Sequence, residues 1–333
     1  MSSENPKALI IQTASIGDVI LATGLAESLY AEDPAREIHF LVKDGMQGLF
    51  NGHPFIRKVH VWNKRKGKYS GLIRLVSETR SEHYHLVVNI QRFFSSGILT
   101  ALSGSGISTG FRKNPLSFLF TYRVEHEIGN GLHETERNLK LLGPLGQFPT
   151  KAPALYPGKN DEELVRPYTE QAFITASPAS LWFTKQFPEE RWVEFLNQVP
   201  EPYRIYLLGG PSDQALCIRI MQQVKAREVI DLSGKLSLLQ SAALMKRARM
   251  NYVNDSAPLH LASSVNAPVR AIFCSTVPSF GFGPLSGDSR VIETEEDLEC
   301  RPCGLHGLSE CPRGHFRCAF GININPMISE LCS

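Results

Sequence analysis

The stretch MNYVNDSAPLHLASS, residues 250–264, decides the fold. Its first part, Met250–Val253, is a short apolar run of the kind that forms a buried strand. Its last part, Pro258–Ser264, has the apolar spacing of a helix with proline near the first position. Residues 254–256 therefore form a strand-to-helix turn, in which free backbone N–H groups and the helix dipole can hold a phosphate.

The same alternation of apolar runs and helical patterns continues through the chain and predicts parallel sheets covered by helices. We predict strands at 8–12, 38–42, 86–90, 172–176, 203–208, 229–231, 250–253 and 269–273. We predict helices at 19–30, 69–82, 134–142, 189–198, 213–225, 237–246 and 258–264. The fold class is therefore α/β, with two Rossmann-like, doubly wound domains that face each other across a cleft at the carboxyl ends of their strands.

The length and the distribution of proline and glycine indicate where the chain divides. A chain of 333 residues suits two domains of roughly 150 residues each. Residues 143–165 carry four prolines and three glycines without a clear period, which is typical of a linker. We predict an N-terminal domain at 1–150, a linker at 151–170, a C-terminal domain at 171–322 and a C-terminal helix at 323–333.

The composition excludes two classes of protein. Hydrophobic residues make up 42% of the chain and charged residues 20%, so the chain can bury cores and is not intrinsically disordered. No apolar run approaches the roughly 20 residues that span a bilayer. The polar residues at the N-terminus lead directly into a strand pattern and do not resemble a signal peptide. We expect a cytoplasmic protein.

The charge is unevenly distributed between the two halves. Residues 1–160 hold 19 Lys and Arg against 13 Asp and Glu, whereas residues 161–333 hold 16 against 20. A basic N-terminal half suggests an anionic partner. The densest basic run either faces the phosphates of a lipid, a saccharide or a nucleic acid, or forms a solvated loop. Its members are Arg57, Lys58, Lys64, Arg65, Lys66 and Lys68.

The turn after the first strand, TASIGD at residues 13–18, brings a carboxylate to the start of a helix. Asp18 either faces a ligand or caps the helix, because both the dipole and the first N–H groups favour a carboxylate there. Gly17 allows a close backbone approach or a positive φ. The turn lacks both the G-x-G-x-x-G and the G-x-x-x-x-G-K spacing, so it is not predicted to cradle a phosphate.

Three side chains of the second half are candidates for ligand contact. Lys185 precedes a helix that begins near Pro188, and it either neutralises a diphosphate or is an ordinary surface lysine. Asp255 can accept hydrogen bonds from sugar hydroxyls. His260 either faces the ligand or is a core histidine, and its place in the apolar pattern favours the core.

Five short motifs, taken in their order and spacing over residues 8–330, resemble glycosyltransferase family 9, the ADP-heptose:lipopolysaccharide heptosyltransferases. The motifs are Ser-x-Gly-Asp at 15–18, Trp-x-x-Lys-x-Phe-Pro at 182–188, Leu-Gly-Gly-Pro at 208–211, Leu-Ser-Gly-Lys at 232–235 and Asn-Asp-Ser-x-Pro-x-His-Leu-Ala at 254–262. The resemblance implies a GT-B fold and an inverting, metal-independent glycosyltransferase. Such an enzyme would move a heptose or related sugar from a nucleoside-diphosphate donor, expected to be ADP-heptose, to a lipopolysaccharide core or lipid-linked acceptor.

The resemblance also assigns roles to residues. Asp18 would be the general base and Lys185 the group that stabilises the leaving diphosphate. The donor side would comprise Ser180, Thr184, Lys185, Gly209, Gly210, Asp213, Asp255, Ser256, Ala257 and His260. The acceptor side would comprise Ser15, Gly17, Lys64, Arg65, Lys66 and Lys68, in a domain that contacts the cytoplasmic face of the membrane peripherally.

Two departures and two alternative functions leave the substrate open. Ala257 stands where the family has glycine, and Cys274-Ser275 stands where a glycine usually precedes Thr276. A different sugar or base therefore remains open. The alternatives are a GT-B-shaped nucleotide-sugar epimerase and a noncatalytic sugar-nucleotide binder. No recognisable nucleic-acid-binding motif accompanies the basic run.

Four of the seven cysteines share one segment with the spacing C-x2-C-x7-C-x6-C. In a cytoplasmic protein this spacing favours free thiols or a structural zinc over disulfides. The loop between the pairs is shorter than in common zinc ribbons, which favours thiols. The four are Cys300, Cys303, Cys311 and Cys318. The other three, Cys217, Cys274 and Cys332, are expected to be structural.

Overall fold

The computed structural model describes residues 5–63 and 67–332. The chain divides into two compact units, which we call unit 1, Met1–Tyr156, and unit 2, Pro157–Ser333. Each unit contains one six-stranded parallel sheet covered by helices. Within the described residues, no helix is both long enough and apolar enough to cross a membrane.

The sheet of unit 1 has the strand order β3-β2-β1-β4-β5-β6, the order of a doubly wound Rossmann sheet. Central strand β1 is bordered by β2 and β4, and Ala8 lies opposite Ile38 on one side and Leu86 on the other. The elements are β1 Lys7–Ile11, α1 Ile16–Glu32, β2 Glu37–Lys43, β3 Ile56–Trp62, α2 Lys68–Ser81, β4 Leu86–Asn89, α3 Phe94–Ala101, β5 Ile107–Phe111, β6 Tyr122–Val124 and α4 Glu134–Leu139.

Unit 2 repeats this topology with the order β12-β11-β10-β7-β8-β9. Strand β10 is buried at all five positions because strands lie on both sides of it and helices cover its faces. The elements are α5 Lys159–Val165, β7 Phe173–Ser177, α6 Glu189–Asn197, β8 Arg204–Leu207, α7 Gln214–Gln223, β9 Val229–Asp231, α8 Leu238–Arg247, β10 Met250–Asn254, α9 Ala257–Ser264, β11 Val269–Phe273, β12 Ser289–Glu293, α10 Arg317–Phe320 and α11 Asn325–Cys332.

All eight strands predicted from the sequence are present, and the predicted α/β class is confirmed. The prediction missed four strands whose polar content hides them: β3, β5, β6 and β12. In β5 the hydroxyl of Thr109 donates to the backbone oxygen of Leu141 at 2.8 Å, so a polar residue is buried at no cost in lost hydrogen bonds. Helix α3 was missed as well, and α5 forms within the stretch 151–170 that we expected to be a linker.

Two histidines and a tyrosine form a buried polar cluster in unit 1. The hydroxyl of Tyr84 lies 2.8 Å from Nδ1 of His39 and 2.8 Å from Nε2 of His60. Burial lowers the pKa of His39 to about 4, although Glu82 opposes the shift. His53, packed against the rings of Phe55 and Tyr156, also has its pKa lowered to about 4 by burial. The fold therefore favours the neutral form of these rings.

We predict that unit 1 loses stability as the pH falls from 6.5 toward 4. A buried histidine with a lowered pKa stays neutral in the folded state, whereas the same histidine in the unfolded chain binds a proton below about pH 6.5. Its full contribution to stability is therefore present above that pH and is lost as the pH falls toward the folded-state pKa. Replacing His53 by Gln should flatten the pH dependence of the free energy of unfolding by roughly 3 kcal/mol over that range. Urea unfolding at several pH values measures this free energy. Exposed His85→Gln is the control, and equal slopes in the two variants would contradict the prediction.

Candidate functional site

The candidate site in unit 2 lies where four parallel strands end. Because β7, β8, β10 and β11 run in the same direction, the segments that follow them emerge at one edge of the sheet. These segments contain the residues to which the family resemblance assigns the donor. The edge therefore brings together motifs that are as much as 80 residues apart in sequence, from Trp182 to Ala262.

An ion pair forms the centre of this edge. The ammonium of Lys185 lies 2.7 Å from Oδ2 of Asp255, and the hydroxyl of Thr276 donates to the same oxygen at 2.6 Å. Asp255 is only 5% exposed, so its charge has little contact with water and is satisfied by these two side chains. The pair holds the Lys185 ammonium close to the turn that connects β10 to α9.

Helix α9 begins directly after this turn. Ser256 is its N-cap residue but forms no side-chain capping hydrogen bond, and Pro258 occupies the first turn. Ala257 is the first helical residue. Uncapped N–H groups of a first turn, together with the helix dipole, favour an anion at this end. His260 lies farther along α9 and is 6% exposed.

The loop between β7 and α6 is held in place by Asn254. Its side-chain amide donates to the backbone oxygen of Pro178 at 2.7 Å, and its carbonyl oxygen accepts from the N–H of Phe187 at 3.0 Å. Within the loop, Gln186 donates to the backbone oxygen of Ser180 at 2.6 Å. Asn254 is fully buried and therefore fixes both ends of the loop that carries Lys185.

Thr184, expected on the donor side, is buried beneath the loop. Its hydroxyl accepts hydrogen bonds from the hydroxyl of Ser275 at 2.9 Å and from the N–H of Leu308 at 2.8 Å. The backbone N–H of Thr184 also donates to the oxygen of Leu308 at 3.1 Å. In this structure the contribution of Thr184 is to join the loop to the segment behind it.

That segment, residues 300–308, was not assigned to the site from the sequence. Arg301 donates to the backbone oxygens of Cys274 and Thr276, each at 2.8 Å, and so holds the chain that presents the Thr276 hydroxyl. Gly307 has φ +77°, and a Cβ atom there would lie 2.8 Å from Cγ of Lys185. An isolated arginine and a glycine in a cysteine-bearing segment gave no sequence signal for these roles.

Cys300, Cys303, Cys311 and Cys318 lie near one another, and the choice between free thiols and a structural zinc stays a prediction. Within residues 5–63 and 67–332, no three His, Cys, Asp or Glu side chains are arranged to hold a metal ion. Burial, together with the neighbouring Cys303, raises the pKa of Cys318 to about 12. Cys217 and Cys274 are buried, as expected of structural cysteines. The expectation for Cys332 is wrong, since it is exposed at the end of α11.

The Leu-Gly-Gly-Pro motif forms a tight turn after β8. The N–H of Gly210 donates to Oδ2 of Asp213 at 2.7 Å, and a Cβ at Gly209 would lie 2.9 Å from the Cβ of Asp213. The N–H of Gly234 donates to the oxygen of Gly209 at 2.9 Å. Gly209 thus permits the close approach of Asp213, whose carboxylate stabilises the turn.

In unit 1, Asp18 lies in the first turn of α1. The hydroxyl of Ser15 donates to Oδ2 of Asp18 at 2.6 Å and caps the helix. The alternative that Asp18 is the N-cap is wrong, because the helix begins at Ile16 and Ser15 takes that position. Gly17 is buried within the helix and does not have positive φ. The dipole of α1 stabilises the carboxylate, which is half-buried.

The basic run of unit 1 is only partly within the described residues. Lys64, Arg65 and Lys66 lie outside them, and Lys68 is the first residue of α2. The alternative of a solvated loop is wrong for Arg57 and Lys58, which belong to strand β3. Lys58 forms an ion pair with Glu82 at 2.5 Å and lowers the pKa of that carboxyl. A cavity of about 750 Å³ lies between β3 and α2.

The family model and the curated relatives indicate one family. The family model for glycosyltransferase family 9 (heptosyltransferase) matches residues 72–307. Lipopolysaccharide heptosyltransferase 1 of Pseudomonas aeruginosa is 24% identical over 314 residues, which cover 89% of this chain and 86% of that protein.

Two solved structures show the same fold. The Escherichia coli ADP-heptose lps heptosyltransferase II has a TM-score of 0.80 at 20% identity, covering 98% of this chain and 97% of that one. The E. coli heptosyltransferase WaaC with ADP has a TM-score of 0.71 at 19% identity, covering 86% and 92% of the two chains. The fold is therefore of the GT-B type.

We predict that Gly307→Ala weakens binding of a nucleoside diphosphate, because the added methyl group displaces the stem of Lys185. Gly304→Ala is a matched control, since Gly304 has nearly the same φ, +76°, but nothing within 4 Å of the added atom. Both variants carry backbone strain of about 1 to 3 kcal/mol. Calorimetry should show affinity reduced on the order of tenfold for Gly307→Ala alone, through the misplaced charged hydrogen bond. Equal affinities would contradict this role of Gly307.

Proposed function

The chain belongs to glycosyltransferase family 9 and is a glycosyltransferase, and we propose that it transfers a heptose from ADP-heptose to the core of a lipopolysaccharide. Relatives with heptosyltransferase names match most of its length. The observation that carries the donor assignment is the Lys185–Asp255 pair beside the N-terminus of α9. A diphosphate is the ligand class for which a lysine and an uncapped helix start provide complementary charge.

We propose that Lys185 stabilises the leaving ADP. As the bond between the anomeric carbon and the phosphate oxygen breaks, negative charge develops on the diphosphate. An ammonium already fixed by Asp255 needs little reorganisation to meet that charge, and the first N–H groups of α9 add to it. Since these groups supply the positive potential, the transfer is proposed to proceed without a divalent metal. We choose ADP as the leaving nucleotide because ADP is named in the WaaC structure.

Asp18 is proposed as the general base. A carboxylate that accepts the proton of an acceptor hydroxyl allows the oxygen to attack the anomeric carbon while ADP leaves from the opposite side, which inverts the configuration. The Ser15 hydroxyl restricts the orientation of the carboxylate through its hydrogen bond of 2.6 Å. The step depends on position more than on high basicity.

The acceptor is proposed to be a lipid-linked, phosphorylated saccharide at the cytoplasmic face of the inner membrane. The excess of basic residues in the N-terminal half supports an anionic partner there. Peripheral attachment requires no spanning helix, because basic side chains near an anionic leaflet contribute about 1 kcal/mol each.

We predict that Asp18→Asn lowers the rate of transfer on the order of 100-fold to 10,000-fold, the usual loss when a general base is removed. Affinity for ADP should stay nearly unchanged, since Asp18 belongs to unit 1 and the donor residues to unit 2. Release of ADP, measured with and without acceptor, follows the reaction. Asp33→Asn at the other end of α1 is the control. Wild-type turnover in Asp18→Asn would show that Asp18 is not the general base. Release of ADP at the same rate with and without acceptor would favour an epimerase or a hydrolase.

We predict that Lys185→Ala weakens ADP binding by about 1 to 3 kcal/mol, the value of a hydrogen bond to a charged group. The same change leaves the buried Asp255 without its ion-pair partner and so also lowers thermal stability. The double variant Lys185→Ala/Asp255→Asn should recover stability but not affinity. Calorimetry and thermal unfolding separate the two effects, with exposed Lys246→Ala as control. Unchanged ADP affinity in Lys185→Ala would exclude it from the site.

A further inference from the structure

One long stretch of unit 1 is entirely without acidic residues. Residues 91–124 contain four basic side chains and no Asp or Glu. All four basic residues are exposed. Arg112 forms an ion pair at 2.9 Å with Glu125, which lies just beyond this stretch. The four are Arg92, Arg112, Lys113 and Arg123.

The same stretch exposes large apolar side chains. Phe93 and Phe94, at the start of α3, are 56% and 58% exposed. Phe118 and Leu119, between β5 and β6, are 65% and 53% exposed. Single exposed apolar residues are ordinary on a protein surface. Two pairs of consecutive exposed apolar residues in a stretch whose only charged residues are basic are unusual.

Buried Asn114 ties the two apolar pairs into one surface. Its side-chain amide donates to the backbone oxygen of Gln91 at 3.0 Å and to that of Phe93 at 3.1 Å. A Cβ placed at Gly97 in α3 would lie 2.9 Å from the Cβ of Leu116, so α3 is in close contact with the segment between β5 and β6. The chain at 112–119 therefore packs against the start of α3, and we call the exposed residues 92–94, 112–113, 118–119 and 123 the α3 surface.

This surface is connected to the edge that carries Asp18. Strands β1 and β4 are parallel neighbours, so the segments that follow them emerge at the same edge of the sheet. Gln91, just after β4, donates its side-chain amide to the side-chain oxygen of Gln12, just after β1. The start of the α3 surface is thus hydrogen-bonded to the segment that leads into the Ser15–Asp18 turn.

We propose that the α3 surface docks unit 1 on an anionic lipid bilayer, with the aromatic rings at the headgroup level and the basic side chains on lipid phosphates. The proposal rests on the proposed function, in which the acceptor is lipid-linked. Aromatic rings beside basic residues are the composition that binds membrane interfaces. A second copy of the chain is a poorer occupant, because a two-fold contact would place like charges against each other.

Sedimentation with vesicles tests this docking. The aromatic variant is Phe93→Ser/Phe94→Ser/Phe118→Ser/Leu119→Ser. Its matched control is Leu164→Ser/Ile218→Ser, which removes apolar side chains that are 48% and 39% exposed in unit 2. A third variant replaces Lys64, Arg65, Lys66 and Lys68 by Gln and compares the basic run with the α3 surface. Vesicles contain phosphatidylcholine with or without phosphatidylglycerol.

We expect the aromatic variant to lower partition onto the anionic vesicles at least about tenfold, since the lost apolar burial is not replaced. The matched control should bind as the wild type does, and vesicles of phosphatidylcholine alone should bind weakly. High salt should weaken but not abolish wild-type binding, because screening acts only on the basic residues. Equal partition of the aromatic variant and the wild type would overturn the proposal, as would loss of binding in the basic-run variant alone.

Three further measurements separate this proposal from failure of the fold or of the proposed function. Phe94→Trp keeps the surface aromatic, and its emission should shift to shorter wavelength on anionic vesicles. The absence of a shift would overturn the docking.

Transfer to an acceptor without acyl chains should be unchanged in the aromatic variant. Loss of this transfer, or a change of oligomeric state in sedimentation velocity, would assign the surface to the saccharide or to a second copy instead. Vesicle binding without any heptose transfer would overturn the proposed function and leave the docking intact.

Discussion

The proposed donor site of this glycosyltransferase depends on the burial of one carboxylate. Asp255 is 5% exposed at the end of β10, and an unpaired charge there would be strongly destabilising. Lys185 and Thr276 supply the compensating contacts, and both come from other loops. The need to neutralise Asp255 therefore fixes the position of Lys185 before any ligand arrives. A lysine fixed in this way can stabilise a developing phosphate charge without the entropic cost of ordering a free side chain.

The two units share one topology but differ in the charged side chain that follows the central strands β1 and β7. In unit 1 the turn after β1 leads into a helix with a carboxylate in its first turn, whereas in unit 2 the segment after β7 ends in a lysine. Both helices of the site regions begin at a serine N-cap. The hydroxyl of Ser15 is hydrogen-bonded to Asp18, whereas Ser256 forms no side-chain capping hydrogen bond. The N-terminus of α9 is therefore available to an anion. A strand-to-helix connection is thus the proposed source of the base in unit 1 and of the anion site in unit 2.

The sequence predicted those parts of the fold and site that depend on local pattern. Central strands such as β10 are continuous apolar runs, and their carboxyl ends carry the motifs, so the fold class and the positions of Lys185 and Asp255 could be predicted. Edge strand β3 was missed because the adjacent exposed residues Arg57 and Lys58 interrupt its apolar run. Arg301 and Gly307 were missed because their roles arise from contacts with backbone oxygens and with a side chain more than 100 residues away. No local pattern encodes such contacts.

Arg301 and Gly307 belong to the support beneath the motif loops and not to the motifs themselves. Arg301 and Gly307 act on Thr276 and Lys185 from behind, through backbone oxygens and the methylene stem, so other side chains could meet the same requirement in another sequence. The motif residues face a different constraint, since a phosphate must meet a lysine and a helix start at fixed distances. In this chain that support includes a cysteine-bearing segment, which links the packing of thiols to the geometry of the donor site.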